Sequence, residues 1–202
     1  MTSIEPVALT RREQLKLQRR AQLLDAGARL IADRGFLGMR LDDLGAAVGI
    51  SGPAVYRHFP NKEALLVELL VGVSQRLLDG GKAVVARTGS AGDALDGLVD
   101  FHLDFALGEP ELIRIQDRDL ENVPTGPRRD LRRTQRQYVE IWVAVLRELH
   151  PELPEETARV QAHAGFGLMN STPHSVTSAT ATRTRPILRQ MALSALSRAA
   201  VR

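Results

Sequence analysis

One short segment, residues 41–62, constrains the fold of this chain most, because two helical patterns lie there only a few residues apart. Apolar side chains recur at helical spacing in its first half and predict an amphipathic helix of about two turns. They are Leu41, Leu44 and Val48. Gly49 follows, and glycine adopts without a clash the left-handed conformation that ends many helices. Ser51 and Pro53 then favour a second helix, since serine caps helix starts and proline is tolerated in the first turn.

Two interpretations of this segment stay open: an ordinary helical hairpin, or a helix-turn-helix whose second helix enters the major groove of DNA. The second helix is short, with Tyr56, Arg57 and His58 on its exposed side, while Val55 and Phe59 face inward. Basic residues upstream favour DNA, because cations attract phosphates. They are Arg11, Arg12, Lys16, Arg19 and Arg20.

Three motifs within residues 20–70 resemble the amino-terminal domain of the TetR family of bacterial transcriptional regulators. They read L-I-A-D-R-G-F, D-L-G-A-A-V-G-I-S and A-V-Y-R-H-F-P-N-K-E-A-L-L, the last of which includes Asn61 as a helix cap. The resemblance implies a homodimeric repressor that binds double-stranded, palindromic operator DNA and is released by a small-molecule effector. The runner-up is a helical DNA-binding or interaction protein that senses no small molecule.

We expect nine DNA contacts, seven of them implied by the resemblance and two, Arg40 and Arg57, by their reach. They are Arg40, Ser51, Gly52, Pro53, Ala54, Tyr56, Arg57, His58 and Lys62. Tyr56 and Lys62 match phosphate-contacting positions of the family, and His58 matches a position that meets backbone or base. The leading edge, residues 51–54, has no side chain that forms a bidentate hydrogen bond to a base, which leaves apolar contact with thymine methyl groups.

Two positions depart from the family pattern. Arg40 stands where Ser or Thr usually caps the first of the two helices, and Gly52 stands where a basic or polar residue is usual. We expect a weak cap, although Asp42 and Asp43 favour the positive end of that helix. Arg40 and Arg57 are the nearby residues able to reach a guanine, and for Arg57 a phosphate contact is the favoured role.

Charge and composition agree with a DNA-binding end. Residues 1–62 hold ten basic and six acidic residues, whereas the remainder holds 17 basic and 18 acidic residues, so all the excess positive charge lies in the first part. No cysteine is present, which excludes disulfides and thiolate metal sites, and we expect no metal and no cofactor. No apolar run approaches the ~18 residues of a membrane span, so we expect a cytoplasmic protein.

The chain divides into a flexible arm (1–12), a helix-turn-helix domain (13–62) and a ligand-binding and dimerisation domain (63–202). Helical periodicity predicts an all-α fold of about nine helices. Outside the segment described above, the expected helices span 12–34, 62–86, 93–107, 109–121, 128–149, 155–170 and 186–201. A Ser/Thr-rich loop is expected over residues 171–184.

Small residues in the last two helices allow close helix packing, either within the chain or between two copies. They are Ala158, Ala162, Gly165, Ala192, Ala195 and Ala199. In proteins like TetR these helices pair with their two-fold mates, so we expect a dimer interface there. Two recognition helices one DNA turn apart would then read a palindrome.

The body resembles a small-molecule sensor more than an enzyme, because it lacks catalytic motifs such as H-E-x-x-H and G-x-S-x-G. The expected pocket lining is Phe101, His102, Phe105, Ile113, Gln116, Tyr138, Trp142, Phe166, Met169 and Asn170. The carboxy-terminal sequence is similar to regulators of acyl-CoA and fatty- or branched-acid catabolism, which implies an acyl-CoA or other small hydrophobic effector. Six arginines could meet a CoA phosphate, although a charged helix surface explains them equally well: Arg114, Arg118, Arg128, Arg129, Arg132 and Arg133.

Overall fold

The structure, a computed structural model, describes residues 10–175 and 181–197, and over these ranges it is all-α. The helices are α1 (Arg11–Gly38), α2 (Leu41–Val48), α3 (Gly52–Tyr56), α4 (Lys62–Arg87), α5 (Ala91–Gly108), α6 (Pro110–Asp119), α7 (Thr125–Leu149), α8 (Glu155–Met169), α9 (Thr172–Ser175) and α10 (Ala181–Leu196). Since α9 is a single turn, the expected all-α fold of about nine helices is confirmed. No helix in the described ranges is long and apolar enough to cross a membrane.

The backbone forms two compact units, residues 1–66 and 67–202. The first unit contains α1–α3 and the start of α4, and the second contains the rest of α4 and the helices after it. The functional division at residue 62 stays a prediction.

Helix α1 begins inside the predicted flexible arm. The Oγ1 of Thr10 accepts the Glu13 N–H at 3.3 Å, and Oε2 of Glu13 accepts the Thr10 N–H at 2.8 Å. Reciprocal bonds of this kind fix a helix start, so α1 begins at Arg11, inside the predicted arm and one residue before the predicted helix start at Arg12. Residues 1–9 of that arm lie outside the described residues.

A small apolar core holds the first unit together. Its fully buried side chains include Leu23, Ile31, Leu44, Val55, Phe59 and Leu65. Gly35, at φ 78°, interrupts α1 near the predicted end of that helix, and Phe36 beyond it turns back into the core. The burial of Val55 and Phe59 confirms the predicted inward face of α3.

Helices α5, α7, α8 and α10 supply the core of the second unit. Trp142 and Met169 are fully buried in this core. The small residues Ala158, Ala162, Gly165 and Ala192 are buried here too. A Cβ on Gly165 would lie 3.2 Å from the side chain of Leu196 of α10.

These four small residues therefore pack within one chain, and the prediction that they face a second copy is wrong. Their small side chains allow close packing of helices within the chain, which was the alternative to packing between two copies. Ala195 is exposed and stays a candidate for a dimer contact. Ala199 lies outside the described residues.

The last helix begins at Ala181, five residues before the predicted start at Pro186, and the predicted loop is partly helical because α9 lies within it. Pro186 therefore stands inside α10 rather than at its first turn. The predicted end at Val201 lies outside the described residues.

An ion-pair ladder joins α10 to α5 on both sides of Pro186. Arg185 binds Asp104 at 2.6 Å and Asp100 at 3.3 Å, while Arg189 binds Asp100 at 3.0 Å and Asp96 at 2.8 Å. Acidic residues four apart on α5 thus meet basic residues four apart on α10, which places both sets on facing sides of the helices. The ladder fixes the register of α10 on α5.

Candidate functional site

The turn between α2 and α3 depends on two glycines for different reasons. Gly49 has φ 70° and ψ 36°, the left-handed conformation predicted from sequence. Gly45 is needed for space, since a Cβ there would lie 2.8 Å from the backbone oxygen of Ile50 and 3.1 Å from Val55. The Ile50 N–H donates to the Gly45 oxygen at 2.9 Å. Together these contacts fix the angle at which α3 leaves α2.

Residues 51–54 form the leading edge of α3, as predicted. Ser51 and Pro53 are exposed, and Gly52 and Ala54 are half-exposed. Ser51 holds the N-cap position, but its side chain makes no capping hydrogen bond in the described structure, so that part of the prediction is wrong. The Oδ1 of Asp42 lies 2.6 Å from where a Cβ on Gly52 would stand, so a larger residue at 52 would displace this carboxylate.

Tyr56 ends α3, and Arg57 follows it as the C-cap. The Tyr56 side chain is 51% exposed, and Arg57 is exposed as well. His58, expected on the same exposed side, is half-buried, and its Nδ1 has no hydrogen-bond partner in the described structure. Of the three side chains expected to be exposed here, only those of Tyr56 and Arg57 are exposed.

A cluster of cations surrounds His58. Burial, followed by Arg20, Lys16, Arg19 and Arg57, lowers the pKa of His58. Arg20 donates to the His58 backbone oxygen at 3.0 Å, and its guanidinium lies 4.7 Å from the centre of the Phe59 ring. The upstream basic residues of the sequence thus reach the same surface as α3, which gives that surface a positive potential.

Lys62 lies at the start of α4, where Asn61 caps the helix as predicted by accepting the Ala64 N–H at 2.8 Å. The Lys62 Nζ donates to the oxygens of Phe36 at 3.1 Å and Leu37 at 3.4 Å, and lies 4.6 Å from the centre of the Phe36 ring. An ammonium has three N–H donors. Lys62 therefore closes the end of α1 and keeps one donor for another acceptor.

The capping of α2 is as weak as the sequence indicates. Arg40 is exposed at the N-cap position and makes no capping bond with its side chain. Asp42 and Asp43 lie in the first turn, where carboxylates favour the positive end of a helix. The guanidinium of Arg40 is therefore not committed to its own helix end.

A second candidate site is a cavity of about 280 Å³ in the second unit. It is lined by Ser74, Leu77, His102, Phe105, Ile113, Gln116, Asp117, Gln135, Tyr138, Val139, His163, Phe166 and Asn170. Seven of the ten predicted lining residues belong to this set. The other three do not, because Trp142 and Met169 fill the core and Phe101 lines a neighbouring cavity.

Helix α4 forms the wall that sequence reasoning missed, through Ser74 and Leu77. The backbone of α4 is also approached closely by two rings. A Cβ on Gly80 would lie 2.1 Å from Phe101, and one on Gly81 would lie 2.8 Å from Tyr138. These two glycines allow α5 and α7 to pack directly against α4.

A chain of hydrogen bonds crosses the floor of the cavity. The Nδ1 of His102 lies 3.2 Å from the Tyr138 hydroxyl, and its Nε2 lies 3.0 Å from Oδ1 of Asn170. Burial lowers the pKa of His102 to about 4, so the ring is neutral near pH 7. Because Oδ1 can only accept, Nε2 donates to Asn170 and Nδ1 accepts from Tyr138.

Aromatic rings line this chain of hydrogen bonds. The Phe166 ring centre lies 5.0 Å from that of His102 and 5.7 Å from that of Tyr138, and Phe105 meets His102 edge-on at 5.6 Å. Trp142 packs edge-on below them, 5.0 Å from Phe166. The cavity thus has flat apolar walls and a polar floor.

The six arginines considered for a phosphate site are largely committed elsewhere. Arg114 donates to the Pro173 oxygen at 2.8 Å, and Arg118 pairs with Asp119 at 3.0 Å. Arg128 and Arg132 both bind Glu121, and Arg133 binds Asp130 at 3.1 Å. None of the six lines the cavity described above. The structure therefore favours the alternative of a charged helix surface for five of them.

Known proteins resemble both units. Residues 23–69 match the model of the family described as "Bacterial regulatory proteins, tetR family". The chain is 27% identical over 132 residues to the HTH-type transcriptional repressor KstR2 of Rhodococcus jostii, a match that covers 65% of each chain. The chain spans just under two thirds of the length of the curated relatives it matches.

Solved structures share the fold over most of the chain. A TetR-family transcriptional regulator from Bordetella parapertussis has a TM-score of 0.78 at 20% identity, over 87% of this chain and 94% of the other. AibR, determined in complex with isovaleryl coenzyme A and operator DNA, has a TM-score of 0.74 at 18% identity, over 89% of this chain and 98% of the other. The curated relatives are named as transcriptional regulators, in agreement with the sequence-based expectation of a regulator.

Proposed function

We propose that the chain is a member of the TetR family of bacterial regulatory proteins, and that it is a homodimeric transcriptional repressor whose operator DNA is released by a small hydrophobic or acyl-CoA-type effector. The observation that carries the proposal is the pairing of an exposed, cation-flanked α3 in one unit with a ligand-sized cavity in the other. A DNA-bound role would place the protein in the cytoplasm.

The first unit supports DNA binding. Helix α3 is held at a fixed angle by Gly45 and Gly49, and it presents Tyr56 and Arg57 beside the cations Lys16 and Arg19. Aromatic hydroxyls and guanidinium groups are donors to phosphate oxygens, which position a protein on the duplex. The apolar leading edge would add contacts with thymine methyl groups in the major groove.

The outer face of the last two helices supports a dimer. Large apolar side chains are exposed there although the small residues beneath them are buried. They are Val160 at 68%, Ile187 at 57% and Met191 at 51% exposure. A shallow groove lined by Leu168, Gln190, Met191, Ser194 and Ala195 lies along the same face. An exposed apolar patch of this kind marks an interaction surface, and a two-fold axis there would pair α8 and α10 of each copy.

The cavity supports effector binding rather than the runner-up interpretation of a helical protein without a sensor. Its volume of about 280 Å³ lies near the lower limit of about 300 Å³ for small-molecule sites. AibR, a protein of similar fold, was determined with an acyl-CoA bound. An effector would lower DNA affinity through tighter binding to the state of the dimer that fits DNA poorly.

DNase I footprinting on the DNA upstream of its own coding sequence tests this proposal. We expect two protected half-sites about one helical turn apart, since each copy of a dimer contributes one recognition helix. Arg57→Gln is the matched variant, and it should weaken protection at both half-sites without affecting the fold. Absence of protection at any sequence over a range of low salt concentrations would contradict the DNA-binding function.

A further inference from the structure

We infer that the cavity recognises an uncharged carbonyl group on a compact apolar body and rejects free carboxylates. This inference rests on the proposed function, because it specifies the chemistry of the effector site. It follows from three features of the lining: an unpaired buried donor, the absence of a fixed cation, and a carboxylate at the rim.

The unpaired donor belongs to Gln135 on α7. Gln135 lines the cavity, and its Nε2 is buried without a hydrogen-bond partner in the part of the chain that the structure describes. A buried N–H group without a partner is unfavourable, and binding an acceptor there recovers that free energy. A carbonyl oxygen is such an acceptor.

The rest of the polar lining offers little to a negative charge. Among the described residues that line the cavity, none is lysine or arginine, and the two histidines are His102 and His163. His102 is held neutral by burial, and both of its ring nitrogens are used by Tyr138 and Asn170. A carboxylate transferred into this space would lose hydration and would meet no lysine or arginine in the lining, which is unfavourable.

Asp117 adds a direct repulsion. Asp117 lines the cavity and is exposed, so it lies at the rim, where partial burial raises its pKa above the ordinary value and nearby His174 partly opposes that shift. An anionic ligand would bring two carboxylates together, which disfavours ionisation of both. The same rim does not oppose an uncharged ketone or thioester.

The apolar walls of the cavity indicate the shape of the apolar part of the ligand, which carries the carbonyl group. Phe105, Tyr138 and Phe166 present rings, while Leu77 and Ile113 present aliphatic surface. A volume of about 280 Å³ suits two fused six-membered rings or a short branched acyl chain. A free ketone and the acyl portion of a CoA thioester supply the same chemistry, and in the second case the CoA phosphates would remain outside.

Isothermal titration calorimetry on the full chain tests the inference with five probes. The first three share one shape: α-tetralone, tetralin and tetralin carboxylate. Isovaleryl coenzyme A and isovalerate form the second pair and distinguish a thioester source from a free ketone. We expect α-tetralone to bind about tenfold more tightly than tetralin, the value of one satisfied buried hydrogen bond. We expect neither carboxylate to bind.

Gln135→Leu is the diagnostic variant, and Gln137→Leu, an exposed position on the same helix, is its control. Gln135→Leu should lower the affinity for α-tetralone to that for tetralin, while Gln137→Leu leaves both affinities unchanged. If tetralone fails to bind but isovaleryl coenzyme A binds, the same loss in Gln135→Leu assigns the carbonyl to a thioester.

Three outcomes would overturn the inference. They are a carboxylate that binds as tightly as its uncharged partner, an equal effect of Gln135→Leu on tetralone and tetralin, and no binding of either carbonyl probe. Operator binding by the same preparations separates this inference from the proposed function. A repressor released by a carboxylate would keep the proposed function and overturn the inference, whereas failure to bind DNA would overturn the proposed function alone.

Discussion

At the scale of single residues, the structure shows how one buried side chain organises the cavity. His102 lies between Tyr138 and Asn170 and contacts the rings of Phe105 and Phe166. A neutral imidazole there has one donor and one acceptor, and each has a partner. Protonation would put a second N–H where the Tyr138 hydroxyl now donates, and it would place a charge in an apolar environment.

The stability of the second unit should therefore depend on pH through His102. Its folded pKa is about 4, below the unfolded value of about 6.5, so the unfolded chain takes up the proton first. The contribution is fully present above about pH 6.5 and is lost as the pH falls to about 4, which corresponds to about 3 kcal/mol. Urea unfolding at a series of pH values should show this slope, and His102→Leu should flatten it. Leu103→Ala is the control: it should also be less stable, but because it retains His102 the dependence of its unfolding free energy on pH should be unchanged. If His102→Leu kept the same pH dependence, His102 would not be its source.

Lys62 combines two roles that can be separated by experiment. Lys62→Met removes the hydrogen bonds to Phe36 and Leu37 and the contact with the Phe36 ring, so we expect about 1 kcal/mol lower stability. If the third donor also meets a phosphate, the slope of log affinity against log salt becomes shallower by about one. Arg57→Gln should change this slope without lowering stability. Lower stability with an unchanged slope would make Lys62 a structural residue only.

At the residue scale, the family resemblance and the helical spacing of rings and apolar side chains lead us to expect Phe105, Tyr138 and Phe166 around the cavity. They lie in its lining, and their part in ligand binding stays a prediction. The same spacing misplaced Trp142, because periodicity shows that a side chain faces inward but not whether the space it faces is filled. Gln135 was missed because a polar residue in the arginine-rich half of α7 resembles an exposed one, although it stands three residues before Tyr138 on the same face.

At the scale of elements, two glycines determine the angle between α2 and α3. Gly49 is left-handed, and a Cβ added to it would have no atom within 4 Å, so a substitution there changes the backbone preference without a clash. Its position and conformation could be predicted, since glycine after an amphipathic helix has few other uses. The need for Gly45 is a matter of tertiary packing against Ile50, and sequence spacing alone does not specify that contact.

We expect Gly49→Ala to weaken DNA binding more than it weakens folding. A left-handed alanine costs about 1–2 kcal/mol, and the chain relieves this cost by changing the angle of α3. Circular dichroism with temperature and operator affinity by fluorescence anisotropy measure the two effects. Gly72→Ala, in an open position within α4, is the control and should leave affinity unchanged. Normal affinity in Gly49→Ala would show that the turn does not orient the reading helix.

At the scale of the whole molecule, the buried and exposed faces of the last two helices carry different kinds of residue: small ones are buried, and large apolar ones are exposed. Their small residues pack α8 on α10 within one chain, and the ladder from Arg185 and Arg189 fixes α10 on α5. We propose that the large exposed side chains contact a second copy. Sequence composition indicated close packing here but could not separate the two faces, because both carry residues compatible with helix contacts.

The exposed face of α10 gives a test of the dimer. Met191→Glu places a charge in the proposed interface, so we expect sedimentation equilibrium to show a monomer with an unchanged helical content. Leu37→Glu is the matched control, since Leu37 is 79% exposed in the first unit and should not affect association. A dimer that persists in Met191→Glu would exclude this face as the interface.

The central claim, that occupancy of the cavity controls DNA affinity, is tested most directly by fluorescence anisotropy of the footprinted DNA during titration with α-tetralone or isovaleryl coenzyme A. Val139→Trp, which fills the cavity from α7, is the comparison. We predict that the wild-type protein releases DNA as the probe saturates the cavity, whereas Val139→Trp stays bound at every probe concentration. Equal release from both proteins, or undiminished DNA affinity of a saturated wild-type protein, would contradict the claim.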